Sequence, residues 1–361
     1  MPNNKIKVCY ILPKFDLNTD THYFYLYDFV ERATEELDIF LLIEKNFSDI
    51  NYFKNVKKIY CQKFSKQPLR FLENFIILFR IRTQGYNNFY VHYSYISAFN
   101  SSIIARFTRA RTFYWNCGLL WLFGRDIFFE IVLRAVNYLV TGVSILKHGY
   151  MEHYRLKAEK VKIMPNWVDL DRFKAIDTSP LFSKYSLENG KKYILFVHRL
   201  SKRKGVHYIS KIAQNFINNP EIKFLVAGDG PDKNKLVEEI KNLGNVVLLG
   251  KVPNSDIPGL MKISKLFFMP SEEEGFPRVL LEAMATGLPY VAFAVGGVRE
   301  ISSASQQEYI CPLGDTDTMS FNIKKILGDE GIQQKLIESN YQQVLSYDIS
   351  KAIKIFIGLF K

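Results

Sequence analysis

Short apolar runs rich in β-branched and aromatic residues alternate with helical patterns from one end of the sequence to the other. Ten such runs are predicted strands, namely KVCYIL, DIFLLI, NFYVHYS, RTFYWN and YLVTGVS in the first half, and YILFVHR, KFLVAGD, VVLLG, LFFMPS and YVAFAV in the second. Strands that alternate with helices build parallel sheets covered by helices. The pattern therefore predicts an α/β fold of doubly wound parallel sheets.

The two sets of strands are separated by residues 163–192, a stretch with Pro, Asp and Ser but no periodicity, which is typical of a linker. A length of 361 residues also favours two domains over one. In doubly wound domains, ligands bind outside the carboxyl ends of the strands. We therefore expect two such domains that face each other across a cleft.

The sequence favours a cytoplasmic protein. The four cysteines, Cys9, Cys61, Cys117 and Cys311, are far apart and form no CxxC pair, which fits a reducing compartment. The start, MPNNKIKVCYILPKF, resembles a short strand more than the apolar region of a signal peptide. The apolar stretch 118–143 is interrupted by four charged residues, whereas a spanning helix needs about 20 nearly uncharged residues.

Residues 51–125 contain twelve Lys or Arg and one acid, Glu73, so this window carries +11 of a formal net charge of +12. Within it, residues 68–82 place apolar side chains at helical spacing: Leu69, Leu72, Phe75, Ile76 and Phe79. Such a helix suits an anionic membrane surface, and it also suits packing on the sheet of its own domain. We hypothesise peripheral contact with the inner face of the cell membrane through residues 51–125.

The stretch EGFPRVLLEAMATGLP, residues 274–289, combines two carboxylates with a helix start. Pro277 suits the first turn of a helix, Gly287 suits its end, and Glu274 then lies in the loop after a strand. Amides at a helix start attract phosphate or polar sugars, and an ionised carboxylate accepts strong hydrogen bonds from hydroxyl groups. An ordinary charge cluster at a helix start remains the alternative.

Three further strand ends carry related signals. ILFVHRLSKRKGVHYI, residues 194–209, places Arg199 and Lys204 in a basic loop that suits a diphosphate, although a basic surface loop would look the same. Gly228 follows the next strand in VAGDGP, a weak glycine motif. AVGGVREIS, residues 294–302, adds another glycine turn that is expected at the same edge.

In their order and spacing, these segments resemble the retaining glycosyltransferase family 4, which has the GT-B fold and an E-x7-E motif. The resemblance rests on HRLSKRKG, VAGDGP, VVLLGKV, MPSEEEGFPRVLLEAMATGLPYVA, VGGVREI and PLGDTDTM, and on KIMPNWVDLDRF, where Trp167 replaces the usual glycine. It covers residues 161 to about 320. It implies a nucleotide-sugar donor, with a UDP-sugar favoured, and a saccharide or lipid-linked saccharide acceptor in glycan or cell-surface polysaccharide synthesis.

The resemblance also implies roles for residues. Glu274 would contact hydroxyl groups of the transferred sugar, Glu282 the ribose, and Arg199 with Lys204 the leaving diphosphate. The remaining donor contacts would come from Gly275, Phe276, Pro277, Val252 and Gly228. In a front-face mechanism a phosphate oxygen takes the proton of the acceptor, so no protein nucleophile is required.

The resemblance further implies an acceptor-binding domain at 1–170, a donor-binding domain at 171–342 and a C-terminal helix at 343–361 that crosses back to the first domain. The N-terminal half departs from the family, since no glycine lies between Pro13 and Phe29. Asn116 and His92 are the candidates for acceptor contacts. His92 also suits a packed core position.

Metal binding and other functions fit the sequence less well. The tripeptides DLD (Asp169, Asp171) and DTD (Asp315, Asp317) are expected to be structural, so neither a metal nor another cofactor is predicted. A basic binder of single-stranded nucleic acid would explain the charge but not the ordered glycine and glutamate segments, so no nucleic-acid partner is expected. A GT-B-fold epimerase or phosphorylase is a further alternative, and a glycosidase with two carboxylates fits the amide-rich helix start poorly.

Overall fold

The chain forms two α/β units. The computed structural model describes residues 5–17, 23–174 and 176–361. One unit comprises the described residues up to Pro165 together with Ser350–Lys361, and the other comprises Asn166–Ile349. Residues 18–22, which belong to the glycine-free segment between Pro13 and Phe29, lie outside the described residues.

Unit 1 is built on a seven-stranded sheet in the order β3-β2-β1-β4-β5-β6-β7. All of its strand pairings are parallel. Its strands are β1 Ile6–Leu12, β2 Leu37–Ile43, β3 Lys58–Cys61, β4 Asn88–His92, β5 Arg111–Trp115, β6 Tyr138–Thr141 and β7 Val161–Ile163. Its helices are α1 Phe24–Ala33, α2 Leu69–Thr83, α3 Tyr95–Thr108, α4 Ile127–Ala135 and α5 Ser144–Tyr154.

Unit 2 is built on a six-stranded parallel sheet in the order β10-β9-β8-β11-β12-β13. Its strands are β8 Lys192–Val197, β9 Ile222–Ala227, β10 Val246–Gly250, β11 Ser264–Met269, β12 Tyr290–Phe293 and β13 Ile310–Cys311. Its helices are α6 Ser179–Lys184, α7 Ile209–Gln214, α8 Lys233–Ile240, α9 Ile257–Ile263, α10 Arg278–Ala285, α11 Val298–Ile301, α12 Thr316–Gly328 and α13 Glu330–Val344. The last helix of the chain is α14, Ile349–Gly358.

All ten predicted strands are present, and the prediction of two doubly wound parallel sheets is confirmed. The sequence missed β3, β7 and β13, which have only two to four residues and each lie at the edge of a sheet. An edge strand is covered less completely than a central one, so it needs no continuous apolar run. The interior strands β1, β4 and β5 are almost wholly buried. A strand that is buried on both faces needs a nearly continuous apolar run, and such a run is easy to recognise in the sequence.

Helix α2 shows which of its two faces packs on the domain. The buried side chains are those of Glu73, Asn74, Ile77, Leu78 and Ile81. The apolar residues at helical spacing that the sequence singled out lie mostly on the opposite, exposed side, with Leu69, Leu72, Ile76 and Phe79 each at least 40% exposed. The helix therefore does pack on unit 1, but through a face other than the one that the apolar spacing indicates.

Helix α14 brings the C-terminal residues into unit 1. The fully buried ring of Phe356 contacts Tyr10 of β1, Phe29 of α1 and Tyr90 of β4, with ring centroids 4.7 to 5.8 Å apart. Such edge-to-face contacts add to the free energy that burial of an aromatic ring supplies.

In the described part of the chain, no helix has the length and apolar character that crossing a membrane demands.

We expect Phe356→Ala to lower the free energy of unfolding of unit 1 by about 3–5 kcal/mol, because it leaves a cavity among three aromatic rings. The matched control on the same helix is Ile355→Ala, which removes a side chain that is 38% exposed and should cost about 1 kcal/mol or less. Denaturant titration followed by tryptophan fluorescence measures both values. Equal losses in the two variants would show that α14 does not anchor unit 1 through this ring.

Candidate active site

The candidate site lies where the strand order of unit 2 reverses. From β8 the chain proceeds outward to β9 and β10, and from β11 it proceeds to β12 and β13 on the other side. Loops that leave neighbouring strands in opposite directions open a crevice at their carboxyl ends, which is where ligands bind in doubly wound sheets. The basic loop follows β8 and Glu274 follows β11, so the topology places both at this point.

The basic loop after β8 is in direct backbone contact with the loop after β11. Residues Lys202–Lys204 form one turn of 3₁₀ helix, which ends at Gly205 with a φ of 70°. A Cβ atom at Gly205 would lie 1.7 Å from the carbonyl oxygen of Pro270, so only glycine fits there. The amide of Glu272 donates a hydrogen bond of 2.9 Å to the carbonyl oxygen of Arg203. These contacts fix the two loops against each other.

A buried ion pair joins the same two loops. The Nζ atom of Lys204 lies 2.5 Å from Oε1 of Glu274, and both side chains are less than 15% exposed. Burial on its own raises the pKa of Glu274, but the charge of Lys204 and the hydrogen bond that it donates hold the pKa below its ordinary value. Glu274 is therefore ionised at neutral pH. Removal of either partner would leave a buried charge unpaired, at a cost of about 3–5 kcal/mol.

The two glutamates before Glu274 are paired with the basic loop and the helical turn after it. Glu273 lies 3.6 Å from Arg203, and Glu272 accepts a hydrogen bond of 3.1 Å from the hydroxyl group of Tyr208. Two of the three acids in residues 272–274 are thus paired with two of the three cations in residues 202–204. This pairing explains why the chain tolerates two dense charge clusters at one edge of a sheet.

His198, the first residue after β8, is a site residue that the sequence did not reveal. Its Nε2 atom lies 3.3 Å from Oε1 of Glu274, and its side chain is 15% exposed. Burial, together with the charge of Lys204, lowers its pKa from 6.5 to about 3, against the opposing effect of Glu274. The ring is therefore neutral at pH 7. A histidine at the end of a strand gives no signal by itself, because only the fold brings Glu274 beside it.

Two more glycine loops close the edge of the sheet. A Cβ atom at Gly228, after β9, would lie 1.9 Å from the carbonyl oxygen of His198. A Cβ atom at Gly296, after β12, would lie 1.5 Å from the carbonyl oxygen of Glu274. The amide of Gly297 donates to the carbonyl oxygen of Gly275 at 3.0 Å. The structure therefore brings the loops after β8, β9, β11 and β12 together, as the glycine turns suggested.

The other predicted donor contacts lie on these loops or on the loop after β10. Arg199 follows His198 and is exposed, whereas Val252 and Phe276 are buried. Pro277 caps α10, which runs from Arg278 to Ala285 close to its predicted bounds. The structure places these residues, while their contacts with a donor stay predictions.

Glu282, the second carboxylate of the E-x7-E pattern, has a cationic environment of its own. It lies in α10, 3.6 Å from the guanidinium group of Arg278, and its side chain is 15% exposed. Arg278 also lies 3.4 Å from the carbonyl oxygen of Trp167, to which its Nε atom donates a hydrogen bond. Burial lowers the pKa of Arg172, an effect that the charge of Glu282 opposes. Arg278 lies four residues before Glu282 in the same helix, so helical spacing places these two side by side, whereas only the fold brings Arg172 near Glu282.

The two acceptor candidates belong to unit 1 and are both buried. The ring of His92 stacks on Trp115 with centroids 4.2 Å apart, and its Nδ1 atom lies 3.1 Å from the hydroxyl group of Tyr10. The side-chain oxygen of Asn116 accepts hydrogen bonds from the amide of Gly118 at 2.7 Å and from the hydroxyl group of Tyr150 at 3.1 Å. Both side chains hold the local structure, and their role towards an acceptor stays a prediction.

The two Asp tripeptides act in local structure. Asp315 caps α12 by accepting a hydrogen bond of 2.9 Å from the amide of Thr318, and Asp169 accepts one of 3.2 Å from the amide of Asp171. Within the residues that the structure describes, no three His, Cys, Asp or Glu side chains form a group that could hold a metal ion.

The fold belongs to a known class of protein. A structure from Anabaena, Alr3699/HepE in complex with UDP, superposes with a TM-score of 0.77 at 20% identity and covers 98% of this chain and 99% of that one. Structures of this kind are GT-B glycosyltransferases, so the predicted fold class is confirmed.

Sequence comparison finds related proteins. The family described as glycosyl transferases group 1 matches residues 177–343 of this chain. The N-acetyl-alpha-D-glucosaminyl L-malate synthase of Bacillus anthracis is 29% identical over 217 residues, which is 57% of this chain and 56% of that protein. The UDP-Gal:alpha-D-GlcNAc-diphosphoundecaprenol alpha-1,3-galactosyltransferase of Escherichia coli is 30% identical over 180 residues, 47% of this chain and 46% of that protein. The matches thus span about half the length of these relatives.

We expect the stability of unit 2 to fall as the pH is lowered from 7 to 5. The unfolded chain protonates His198 near pH 6.5, whereas the folded chain resists protonation down to about pH 3. Below pH 6.5 the unfolded chain therefore binds a proton that the folded chain does not. This difference favours the unfolded chain and lowers the stability of unit 2 by about 2 kcal/mol between pH 6.5 and 5. Denaturant unfolding at pH 7 and pH 5 measures the loss, and His198→Gln should reduce it. An unchanged pH dependence in this variant would contradict the burial of a neutral ring.

Proposed function

We propose that the chain is a retaining glycosyltransferase that moves a sugar from a nucleotide-diphosphate donor to a saccharide or lipid-linked saccharide acceptor. The observation that carries the proposal is the pairing of a basic loop with a buried, ionised Glu274 at the strand-order reversal of unit 2. Cations suit the phosphates of such a donor, and carboxylate acceptors suit the hydroxyl groups of its sugar.

A UDP-sugar is the favoured donor. The Anabaena neighbour binds UDP, and the name of the Escherichia coli relative states both a UDP-galactose donor and a diphosphoundecaprenol-linked acceptor. The same names favour a place in the synthesis of glycans or cell-surface polysaccharides. They also favour group transfer over the alternatives of nucleic-acid binding and of a GT-B-fold epimerase or phosphorylase. Contact of residues 51–125 with an anionic membrane is a separate proposal, and sugar transfer does not depend on it.

The chemistry assigned to the site is charge stabilisation on the leaving group. As the bond between the anomeric carbon and the phosphate oxygen breaks, negative charge grows on the diphosphate. Lys204 has three donor hydrogens, of which Glu274 needs one, so the others can bind phosphate oxygens beside Arg199. The acceptor hydroxyl attacks the anomeric carbon from the side of the leaving group. A phosphate oxygen takes its proton, so no protein base is required.

Glu274 serves two purposes in this proposal. One carboxylate oxygen holds Lys204 in place, and the group remains an acceptor for a hydroxyl group of the sugar. Because its pKa lies below the ordinary value, Glu274 is a fixed acceptor throughout the physiological range. His198 is neutral at the same pH, and its ring restricts where the carboxylate can lie.

We expect Arg199→Ala to reduce the rate of sugar transfer by about a hundredfold, since it removes one donor to the leaving diphosphate. Arg199 is exposed, so this variant tests catalysis without the buried-charge penalty that a change at Glu274 or Lys204 would add. The control is Lys265→Ala, an exposed cation near the opposite, amino-terminal end of β11. Release of the nucleoside diphosphate measures the rate, with the donor first chosen by thermal-shift screening of sugar nucleotides.

Wild-type turnover in Arg199→Ala would remove this residue from the site. A sugar nucleotide panel that leaves the melting temperature of the wild-type chain unchanged at saturating concentration would count against the whole proposal. Salt-dependent binding of single-stranded oligonucleotides without any sugar nucleotide effect would favour the nucleic-acid alternative.

A further inference from the structure

Unit 1 carries an exposed apolar surface that its own fold leaves uncovered. Six side chains that are 40% to 66% exposed define this outer face: Leu69, Leu72, Ile76 and Phe79 on α2, and Ile127 and Ile131 on α4. On α2 they recur at intervals of three and four residues, so they form one stripe along the helix. Single exposed apolar residues need no explanation, but six of them on two helices of one unit do.

The helices that carry the two stripes are joined through aromatic rings on α2, α3 and α4. The ring of Phe71 on α2 lies 6.3 Å from that of Phe99 on α3, and the ring of Phe99 lies 5.5 Å from that of Phe128 on α4. Helices α2, α3 and α4 therefore lie side by side. The two stripes therefore belong to helices that are packed together through α3.

The charges around the outer face are almost all positive. Residues 63–135 contain ten Lys or Arg and only three acids, Glu73, Asp126 and Glu130. Glu73 is buried and accepts hydrogen bonds from the hydroxyl group of Tyr60 and the amide of Phe64. Asp126 caps α4, and Glu130 lies 2.7 Å from Arg125. The three acids are thus engaged inside the protein or in local contacts. The excess of cations makes the electrostatic potential at this surface positive.

Exposed cations lie next to the apolar stripes. Lys63 and Lys66 precede α2, Arg80 lies in its last turn, and Arg106 and Arg109 lie at the end of α3. A bilayer with anionic headgroups accepts both features at once, because apolar side chains enter the boundary of the acyl chains while Lys and Arg reach the headgroups. Neither feature alone would specify this partner.

We propose that the outer face is the surface through which the chain binds an anionic lipid bilayer, as a protein that lies on the membrane. The inference deepens the proposed function. It rests on that function in one respect, because an enzyme bound to the membrane would reach a lipid-linked acceptor there. A second copy of the chain is a poorer occupant, since a symmetric contact would bring two positive fields together. Single-stranded nucleic acid also fits poorly, because five of the six side chains that define the face are aliphatic and offer no ring on which a base could stack.

The test uses the whole chain and vesicles of two compositions, phosphatidylcholine alone and an equimolar mixture with phosphatidylglycerol. We expect the chain to co-sediment with the mixed vesicles, and to bind those of phosphatidylcholine at least about tenfold more weakly. Ile76→Ser with Phe79→Ser should weaken binding to the mixed vesicles by about tenfold or more, because two apolar side chains no longer enter the bilayer. The matched control is Phe321→Ser, which removes a ring that is 64% exposed on α12 of unit 2.

Charge is tested separately. Arg80→Glu with Arg106→Glu should reduce binding to the mixed vesicles by about tenfold or more and should weaken its dependence on salt. Lys235→Glu, at an exposed lysine of α8, should behave like the wild type. All of these positions are exposed, so a thermal melt of each variant should match that of the unchanged chain.

Several outcomes would overturn the inference. Equal binding to the two kinds of vesicle, or equal losses in the outer-face and control variants, would exclude this surface. A dimer that forms without lipid and is lost in the Ile76 and Phe79 variant would assign the face to a second copy. If sugar nucleotides stabilise the chain but vesicles do not bind, the proposed function stands and this inference fails. Binding to vesicles without any sugar nucleotide effect would support the outer face as a membrane surface and contradict the proposed function.

Discussion

The buried ion pair between Lys204 and Glu274 is the interaction on which the candidate site depends. Each charge would be costly to bury alone, so the pair can exist only where both loops are held in fixed positions. The close backbone approaches at Gly205 and Gly296 provide that rigidity, since a side chain at either residue would collide with a carbonyl group of the neighbouring loop. The glycines and the charges are therefore parts of one arrangement.

The topology of the sheet decides why this arrangement forms where it does. Strands β8 and β11 are neighbours although 66 residues separate Val197 from Ser264 along the chain, and their loops diverge from the point of reversal. Cations and acids meet there in pairs, and Lys204 and Glu274 keep further donor hydrogens and acceptor lone pairs beyond the contact they share. A nucleotide-sugar, with anionic phosphates and neutral hydroxyl groups, matches such a mixed site better than a purely anionic or cationic molecule.

The sequence predicted the interior of the molecule better than its edges and partners. Central strands and α10 are recognisable from apolar runs, a proline at the start and a glycine at the end, all of which act locally. The short edge strands lack such runs. The proximity of His198 to Glu274 depends on a contact between two loops that the order of residues does not encode, whereas Arg278 lies one helical turn before Glu282. Helix α2 showed the reverse problem, since its apolar spacing marked the exposed face while polar Asn74 and Glu73 lie inward in hydrogen bonds.

A crystal structure of the chain with UDP tests the central claim most directly. We predict that the diphosphate lies within hydrogen-bonding distance of Lys204 and Arg199, next to the backbone of residues 275–277, with the pair between Lys204 and Glu274 intact. A nucleotide bound at another edge of unit 2, or a diphosphate that contacts neither cation, would contradict it.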